Sequence, residues 1–147
     1  MSGLKSIPVR VEGAPGDAYR TDNLNPLLRQ VEQALQELVD DGTASVVDLA
    51  AMPFSEQDER DLRETLGRGE VSATVDAFGP TLVEETAYPG VWLVEHKDAE
   101  GRRLTLHLEI TRIPTILRTP DDDLADSLAA LRHSLSKQTD TPTEDVP

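Results

Sequence analysis

Between residues 67 and 117, apolar and polar side chains alternate almost without a break, and turn residues separate the alternating runs. Because successive side chains of a β-strand point to opposite faces, this pattern predicts strands with one buried face and one hydrated face. A slip of one residue would exchange the two faces, so the pairing register is well specified. The turn signals at Gly79-Pro80 and Lys97–Gly101 predict an antiparallel meander of four main strands.

A helix and a short strand are predicted before this region. Apolar residues recur at helical spacing from Leu24 to Leu38, which predicts an amphipathic helix. Asn25 is the expected N-cap of this helix, and Gly42 is expected to end it. Residues 44–49 then read as a short buried strand.

Two further helices are predicted around the meander. Ser55 is expected to cap a surface helix that ends at Gly67, and Thr119 is expected to cap a last helix. The apolar stripe of this last helix consists of Leu124, Leu128, Leu131 and Leu135. Such a stripe is typical of a core-facing helix, and the alternative interpretation is a dimer seam.

Together these elements predict an α+β fold, with an antiparallel meander sheet of four to six strands and helices packed on one face. Residues 1–22 are predicted to form an N-terminal edge strand and loop, because Pro8 interrupts an alternating run. Residues 23–136 are predicted to form the α+β domain. Residues 137–147 are polar and contain proline, which predicts a disordered acidic tail.

Charge and cysteine content exclude several functions. The chain has 28 acidic and 14 basic residues, a net charge of −14, and no cysteine. Such a charge repels nucleic acid and anionic membranes and favours basic partners. The absence of cysteine excludes disulfides, thiolate metal sites and a cysteine nucleophile. With no secretion signal and no apolar run near the roughly 20 residues of a membrane span, we expect a soluble, cytoplasmic protein.

Two histidines are the candidates for a metal site. His96 and His107 are predicted to lie on neighbouring strands joined by a hairpin, with Glu95 and Glu109 as further oxygen donors. Imidazole and carboxylate ligands suit nickel or zinc. Two hydrated strand histidines would give the same pattern. We therefore predict no bound metal or other cofactor, and keep His96 and His107 as the candidates.

No catalytic constellation is visible in the sequence. Glu84 and Glu85 are adjacent in a predicted strand and therefore face opposite sides, whereas a general acid/base pair must act on one substrate. The run Gly67-Arg68-Gly69 lacks the following lysine and the strand–loop–helix order of a phosphate loop. We predict that it ends a helix and that the protein has no catalytic residue.

Aromatic residues make up 3% of the chain, and the single tryptophan lies close to a tyrosine in the run from Tyr88 to Trp92. Tryptophan and tyrosine contribute most to protein interfaces. We therefore predict partner contacts at Tyr88, Pro89, Gly90 and Trp92, and at Glu85 shortly before them. The alternative interpretation is that Trp92 packs in the core under a helix.

Several ordered motifs resemble a known family. They are Gly-Glu-Val-Ser-Ala at 69–73, Glu-Thr-Ala-x-Pro-Gly-Val-Trp at 85–92, the turn near Gly101, and Glu-Ile-Thr-x-Ile-Pro-x-Ile-Leu at 109–117. With the helix and strand of residues 24–54, the chain resembles the C-terminal region of hydrogenase expression/formation proteins of the HupH/HyaF type. The resemblance covers residues 24–135. Many proteins of this type are longer and hold two related units, whereas this chain holds one.

The resemblance implies a chaperone or assembly factor of nickel-iron hydrogenase maturation. Its expected partner is a hydrogenase subunit precursor or another maturation protein. If longer relatives pair two units in one chain, this single unit is expected to pair as a homodimer, through the sheet face around Trp92 or through an edge strand. Two alternatives stay open: an enzyme that uses carboxylates such as Glu70, Glu85 and Glu109, and an acidic interaction protein that mimics nucleic acid.

Overall fold

The computed structural model describes residues 19–140, which divide after Pro114 into two compact units. The α-helices are α1 (Leu24–Asp41), α2 (Glu56–Leu66) and α3 (Asp121–Asp140). The strands are β1 (Ser45–Asp48), β2 (Ser72–Asp76), β3 (Pro80–Glu85), β4 (Val91–Lys97) and β5 (Arg103–Ile110). Short 3-10 helices span Leu49–Ala51 and Thr115–Leu117. The predicted α+β class is confirmed.

The five strands form one antiparallel sheet in the order β1-β5-β4-β3-β2. Strands β2 to β5 make the predicted meander, and β1 adds beside β5 at the edge. The alternation in the sequence sets the register. Leu93 pairs with Leu108 on one face, and the next pair along, Trp92 and Glu109, lies on the other face.

One face of the sheet packs against α1 and α2. The buried core combines residues of both helices and of the first 3-10 helix with one face of β1, β4 and β5, namely Leu27, Val31, Ala34, Leu38, Val47, Leu49, Leu62, Leu66, Val91, Leu93, Leu106, Leu108 and Ile110. Leu104 was predicted to share this face, but it is exposed. It has no register partner at a shift near the hairpin end of β4 and β5, where His96 pairs with Thr105 and Lys97 with Arg103.

Helix α1 begins slightly earlier than predicted. Its N-cap is Asn23 rather than Asn25, and the carbonyl of Asn23 accepts a 3.0 Å hydrogen bond from the Leu27 amide. The Asn23 side chain does not cap the helix. Its Nδ2 instead donates to the carbonyl oxygen of Pro53 at 2.7 Å, which ties the start of α1 to the loop before α2.

Helix α2 begins at a complete capping box. The Asp58 amide donates to Ser55 Oγ, and the Ser55 amide donates to Asp58 Oδ2, each at 3.0 Å. The buried Asp58 carboxylate also accepts from the amide of Thr21 at 3.1 Å. Burial raises the pKa of Asp58, but the hydrogen bonds from Thr21 and Ser55 outweigh burial and lower it below the usual range. This carboxylate therefore fastens the segment before α1 to the start of α2.

The segment Gly67–Gly69 ends α2 and enters the sheet, as predicted. Gly67 has a φ of 70°, and its amide donates to the carbonyl of Arg63 at 2.9 Å. The Gly69 amide donates to the carbonyl of Glu85 at 2.8 Å. A Cβ atom on Gly69 would lie 2.4 Å from the carbonyl oxygen of Thr86, so only glycine allows this close approach.

Helix α3 differs from the prediction in two respects. Its four stripe leucines, Leu124, Leu128, Leu131 and Leu135, are 50–60% exposed, so they are not core residues of the described fold. The helix also runs to Asp140, so the first four residues of the predicted tail are helical. The predicted N-terminal strand and the last seven residues of that tail lie outside the described residues. Within residues 19–140, no helix is both long enough and apolar enough to cross a membrane.

Candidate functional site

An apolar groove opens on the first unit, between α1, α2 and the turn that joins β3 to β4. Its volume is about 460 Å³. Its apolar lining consists of Leu28, Val31, Leu35, Val39, Leu66, Tyr88 and Val91, and its polar lining consists of Glu32, Gln36 and Thr65. These residues define the α1 groove. Val39 is 77% exposed, so the groove offers apolar surface to solvent rather than an enclosed void.

The groove exists because the apolar stripe of α1 is wider than the sheet can cover. Val31 and Leu38 are buried against the core, whereas Leu28 and Leu35 are only partly buried beside it. Both partly buried leucines are one helical turn from Val31, on the side that faces away from the centre of the core. An apolar face left open in this way is typical of a surface that binds a protein or another ligand.

A rigid turn holds Tyr88 beside the groove. The buried Thr86 hydroxyl donates to the carbonyl of Val91 at 2.9 Å and accepts from the Tyr88 amide at 3.1 Å. The Val91 amide closes the turn by donating to the carbonyl of Tyr88 at 2.9 Å. Gly90 adopts the left-handed φ of 98° that the turn requires. The turn therefore presents an exposed tyrosine ring on a fixed backbone, with Pro89 also exposed.

The other two predicted contact residues support this turn from within the sheet. Trp92 is 6% exposed, and its indole Nε1 donates to the carbonyl of Thr111 at 3.1 Å. Trp92 is thus buried, as the alternative interpretation expected, but on the face of the sheet opposite α1 and α2 rather than under either of these helices. Glu85 is partly buried, and its Oε1 accepts from the Glu70 amide at 3.2 Å.

The two candidate metal-binding histidines do lie close together. The rings of His96 and His107 are 5.9 Å apart between centroids and nearly perpendicular, on the face of the sheet opposite α1. His96 Nδ1 shares a 2.9 Å hydrogen bond with Thr81 Oγ1. Across residues 19–140, no group of three or more His, Cys, Asp or Glu side chains is arranged to hold a metal ion.

Glu95, one of the two predicted oxygen donors, points to the helical face and joins an ion-pair network. Arg103 donates through Nε to Glu95 at 2.7 Å and through both Nη atoms to Glu59 on α2, each at 2.8 Å. The hydrogen bonding of Arg103 to Glu59 is the main reason that the pKa of Arg103 is raised. Burial raises the pKa of Glu59, but Arg103 and Arg63 outweigh it and hold that pKa below its usual range. Sequence alone gave no signal for this network, because Glu59 and Arg103 are far apart in the chain.

The structure also separates Glu84 and Glu109 from Glu85 among the carboxylates that were considered for catalysis. Glu84 lies on the helical face, 3.6 Å from Arg63 and 3.8 Å from Arg68. Glu85 lies on the opposite face, where it pairs with Trp92, which in turn pairs with Glu109. Two strand spacings therefore separate Glu85 from Glu109, about 10 Å.

The sheet, the two helices on one of its faces and the α1 groove define a small α+β domain. Residues 22–137 match the family described as "HupH hydrogenase expression protein, C-terminal conserved region". The chain therefore belongs to this family. A solved structure, "Hydrogenase expression protein HupH from Thiobacillus denitrificans", superposes with a TM-score of 0.78 and 39% sequence identity, covering 81% of this chain and 99% of that one.

Two longer relatives are also similar to this chain in sequence. The hydrogenase expression/formation protein HupQ of Azotobacter chroococcum is 32% identical over 75% of this chain. The hydrogenase expression/formation protein HoxQ of Azotobacter vinelandii is 34% identical over 74% of this chain. The matched region spans only 39% and 36% of those two relatives, respectively. The likeness thus concerns one domain of longer proteins.

Proposed function

We propose that this chain is a non-catalytic accessory protein of nickel-iron hydrogenase maturation. In this proposal it binds a hydrogenase subunit precursor or another maturation protein, as a chaperone or assembly factor. The supporting observation is the open α1 groove beside the exposed Tyr88, in a chain whose relatives are named hydrogenase expression/formation proteins. The cysteine-free sequence is consistent with work in the reducing cytoplasm.

The lining of the α1 groove suggests what it would hold. Leu28, Leu35 and Val39 offer aliphatic surface, and the adjacent Tyr88 combines an apolar ring with a hydroxyl. Aromatic anchors of this kind contribute most of the binding energy at protein interfaces. An apolar face on a client segment, helical or extended, would fit such a surface. Because the chain carries a net charge of −14, a client with basic residues beside that face would associate faster.

The turn from Thr86 to Val91 would act as a preorganised contact. Its hydrogen bonds fix Tyr88, Pro89 and Gly90 before binding, so little conformational entropy is lost when a client docks. Glu85 and Trp92 would take part indirectly, because they hold the strands from which the turn projects.

A genetic test follows from this proposal. In a hydrogenase-producing host that lacks this gene, hydrogenase activity should fall, and the wild-type gene should restore it. Val39→Glu places a charge in the α1 groove and should not restore activity. Val46→Glu makes the same change at another exposed valine, on β1 outside the groove, and should restore it. Normal hydrogenase activity in the host without the gene would contradict the proposed function.

A further inference from the structure

The exposed apolar stripe of α3 plays no part in the α1 groove and has no role in the proposed function. Leu124, Leu128, Leu131 and Leu135 are 56, 50, 60 and 53% exposed. Their spacing of four, three and four residues is the a/d pattern of a two-stranded coiled coil. Over two heptads, this pattern places all four side chains on one narrow line along the helix.

The residues beside the stripe favour close helix–helix contact. Ala125, Ser127 and Ser134 occupy flanking positions, and their small side chains allow a second helix to approach. Arg132 is the exception, with a long side chain whose charged end can stay hydrated at the rim of such a seam. A helix of 20 residues is also long enough to persist once its apolar face is covered.

The charges of α3 are distributed unequally along its length. The first half carries Asp121, Asp122, Asp123 and Asp126 and no basic residue. The second half carries Arg132, Lys137 and Asp140, together with His133, and is therefore weakly basic. A parallel pair of such helices would place the two acidic halves side by side. An antiparallel pair places each acidic half beside the basic half of the other helix and opposes the two helix dipoles.

We propose that α3 is a homodimerisation element that pairs antiparallel with α3 of a second copy of this chain. In this arrangement Leu124 lies beside Leu135 of the second copy, and Leu128 lies beside Leu131 of the second copy. The four leucines are symmetric about the midpoint between Ala129 and Ala130, so one two-fold axis matches all four layers. A seam of two heptads is small, so the dimer is expected to be weak, with a Kd on the order of 10 µM.

The mass in solution tests the dimer. Sedimentation of the full chain across 1–500 µM, in roughly decade steps around the expected Kd, should show the 16.1 kDa monomer converting to a species of twice that mass. Leu128→Glu should keep the chain monomeric throughout. Ala129→Glu adds the same charge to the neighbouring position, outside the stripe, and should leave dimerisation unchanged. Circular dichroism checks that each variant retains its helix content.

Cross-linking tests the antiparallel orientation, because the chain has no cysteine of its own. Eleven residues separate Leu124 from Leu135, which corresponds to about 16 Å along a helix. A mixture of Leu124→Cys and Leu135→Cys chains should form a mixed disulfide dimer on oxidation. Leu124→Cys alone should not cross-link, because its two copies would lie about 16 Å apart.

Three outcomes would overturn the proposal. The wild-type chain could stay monomeric up to 500 µM, which is far above the expected Kd. Leu124→Cys alone could cross-link efficiently, which would indicate a parallel pair. Val39→Glu in the α1 groove could abolish dimerisation, which would indicate that the second copy occupies the groove instead. None of these outcomes bears on whether the protein serves hydrogenase maturation.

Discussion

The guanidinium of Arg103 on β5 donates two parallel hydrogen bonds to the carboxylate of Glu59 on α2. These bonds run from Nη1 to Oε1 and from Nη2 to Oε2, and each is 2.8 Å long. The same guanidinium reaches Glu95 on β4 through Nε. One arginine thereby fixes the second helix to two strands. Lysine cannot reproduce this contact, because an ammonium group is a single point charge without the planar fork of arginine.

Arg103→Lys should therefore destabilise the fold. We expect the free energy of unfolding to fall by about 1–2 kcal/mol, less than for a fully buried pair because Arg103 is partly exposed. Urea denaturation measures the change. Arg102→Lys is the matched control, because the side chain of Arg102 is 76% exposed and forms ion pairs with Asp98 and Glu100 of its own hairpin. Equal losses in the two variants would contradict a special role for the Arg103–Glu59 contact.

Asp58→Asn tests the capping box and its pH dependence. At pH 7 we expect a loss of about 1–3 kcal/mol, because the charged acceptor of hydrogen bonds from Thr21 and Ser55 is lost. The folded-state pKa of Asp58 lies below its unfolded value, so its carboxylate stabilises the fold above an unfolded pKa of about 3.9. This contribution disappears as the pH falls further, through the folded-state pKa.

The stability curves of wild type and Asp58→Asn should therefore converge below about pH 4. Urea denaturation at a series of pH values gives both curves. The other carboxylates with lowered pKa values are common to both proteins, so the difference between the curves reports Asp58. A difference that stays constant from pH 7 to pH 3 would show that the ionised form of Asp58 has no special role.

Trp92→Phe should separate stability from binding. The indole Nε1 donates to the Thr111 carbonyl. Phenylalanine removes this donor, and its side chain fills less volume than that of tryptophan. We expect a loss of about 1–3 kcal/mol in urea denaturation. Because Trp92 is buried, the purified variant should still bind its client as wild type does while it stays folded. A folded Trp92→Phe protein that no longer binds would indicate that the indole itself meets the client.

The sequence predicted the sheet well, because a period of two residues determines which side chains share a face of each strand. Leu106, Leu108 and Ile110 all face the core, as their alternation requires. Leu104 fits the same alternation and is nevertheless exposed, because a local register shift near the hairpin leaves no trace in the apolar pattern. Burial predicted from alternation is therefore correct where the strands pair regularly and wrong where the pairing becomes irregular.

The candidate site was only partly predictable from the sequence pattern. The turn with Tyr88 was recognisable from its aromatic residue beside proline and glycine. The α1 groove was not, because the pattern of α1 gives the width of its apolar face but not how much of that face the sheet covers. The stripe of α3 was compatible with a core or a seam. The exposure of Leu128 and Leu131 argues against a buried core, and the seam is a proposal.

The most direct test of the central claim is co-purification of a client through the α1 groove. Tagged wild type, Val39→Glu, Tyr88→Ala and the control Val46→Glu would be captured from hydrogenase-producing cells, and bound proteins identified by mass spectrometry. The account predicts that wild type and Val46→Glu retain a hydrogenase subunit precursor or maturation protein, and that Val39→Glu and Tyr88→Ala lose it while remaining folded. Recovery of no hydrogenase component with wild type, or equal recovery with all four proteins, would contradict it.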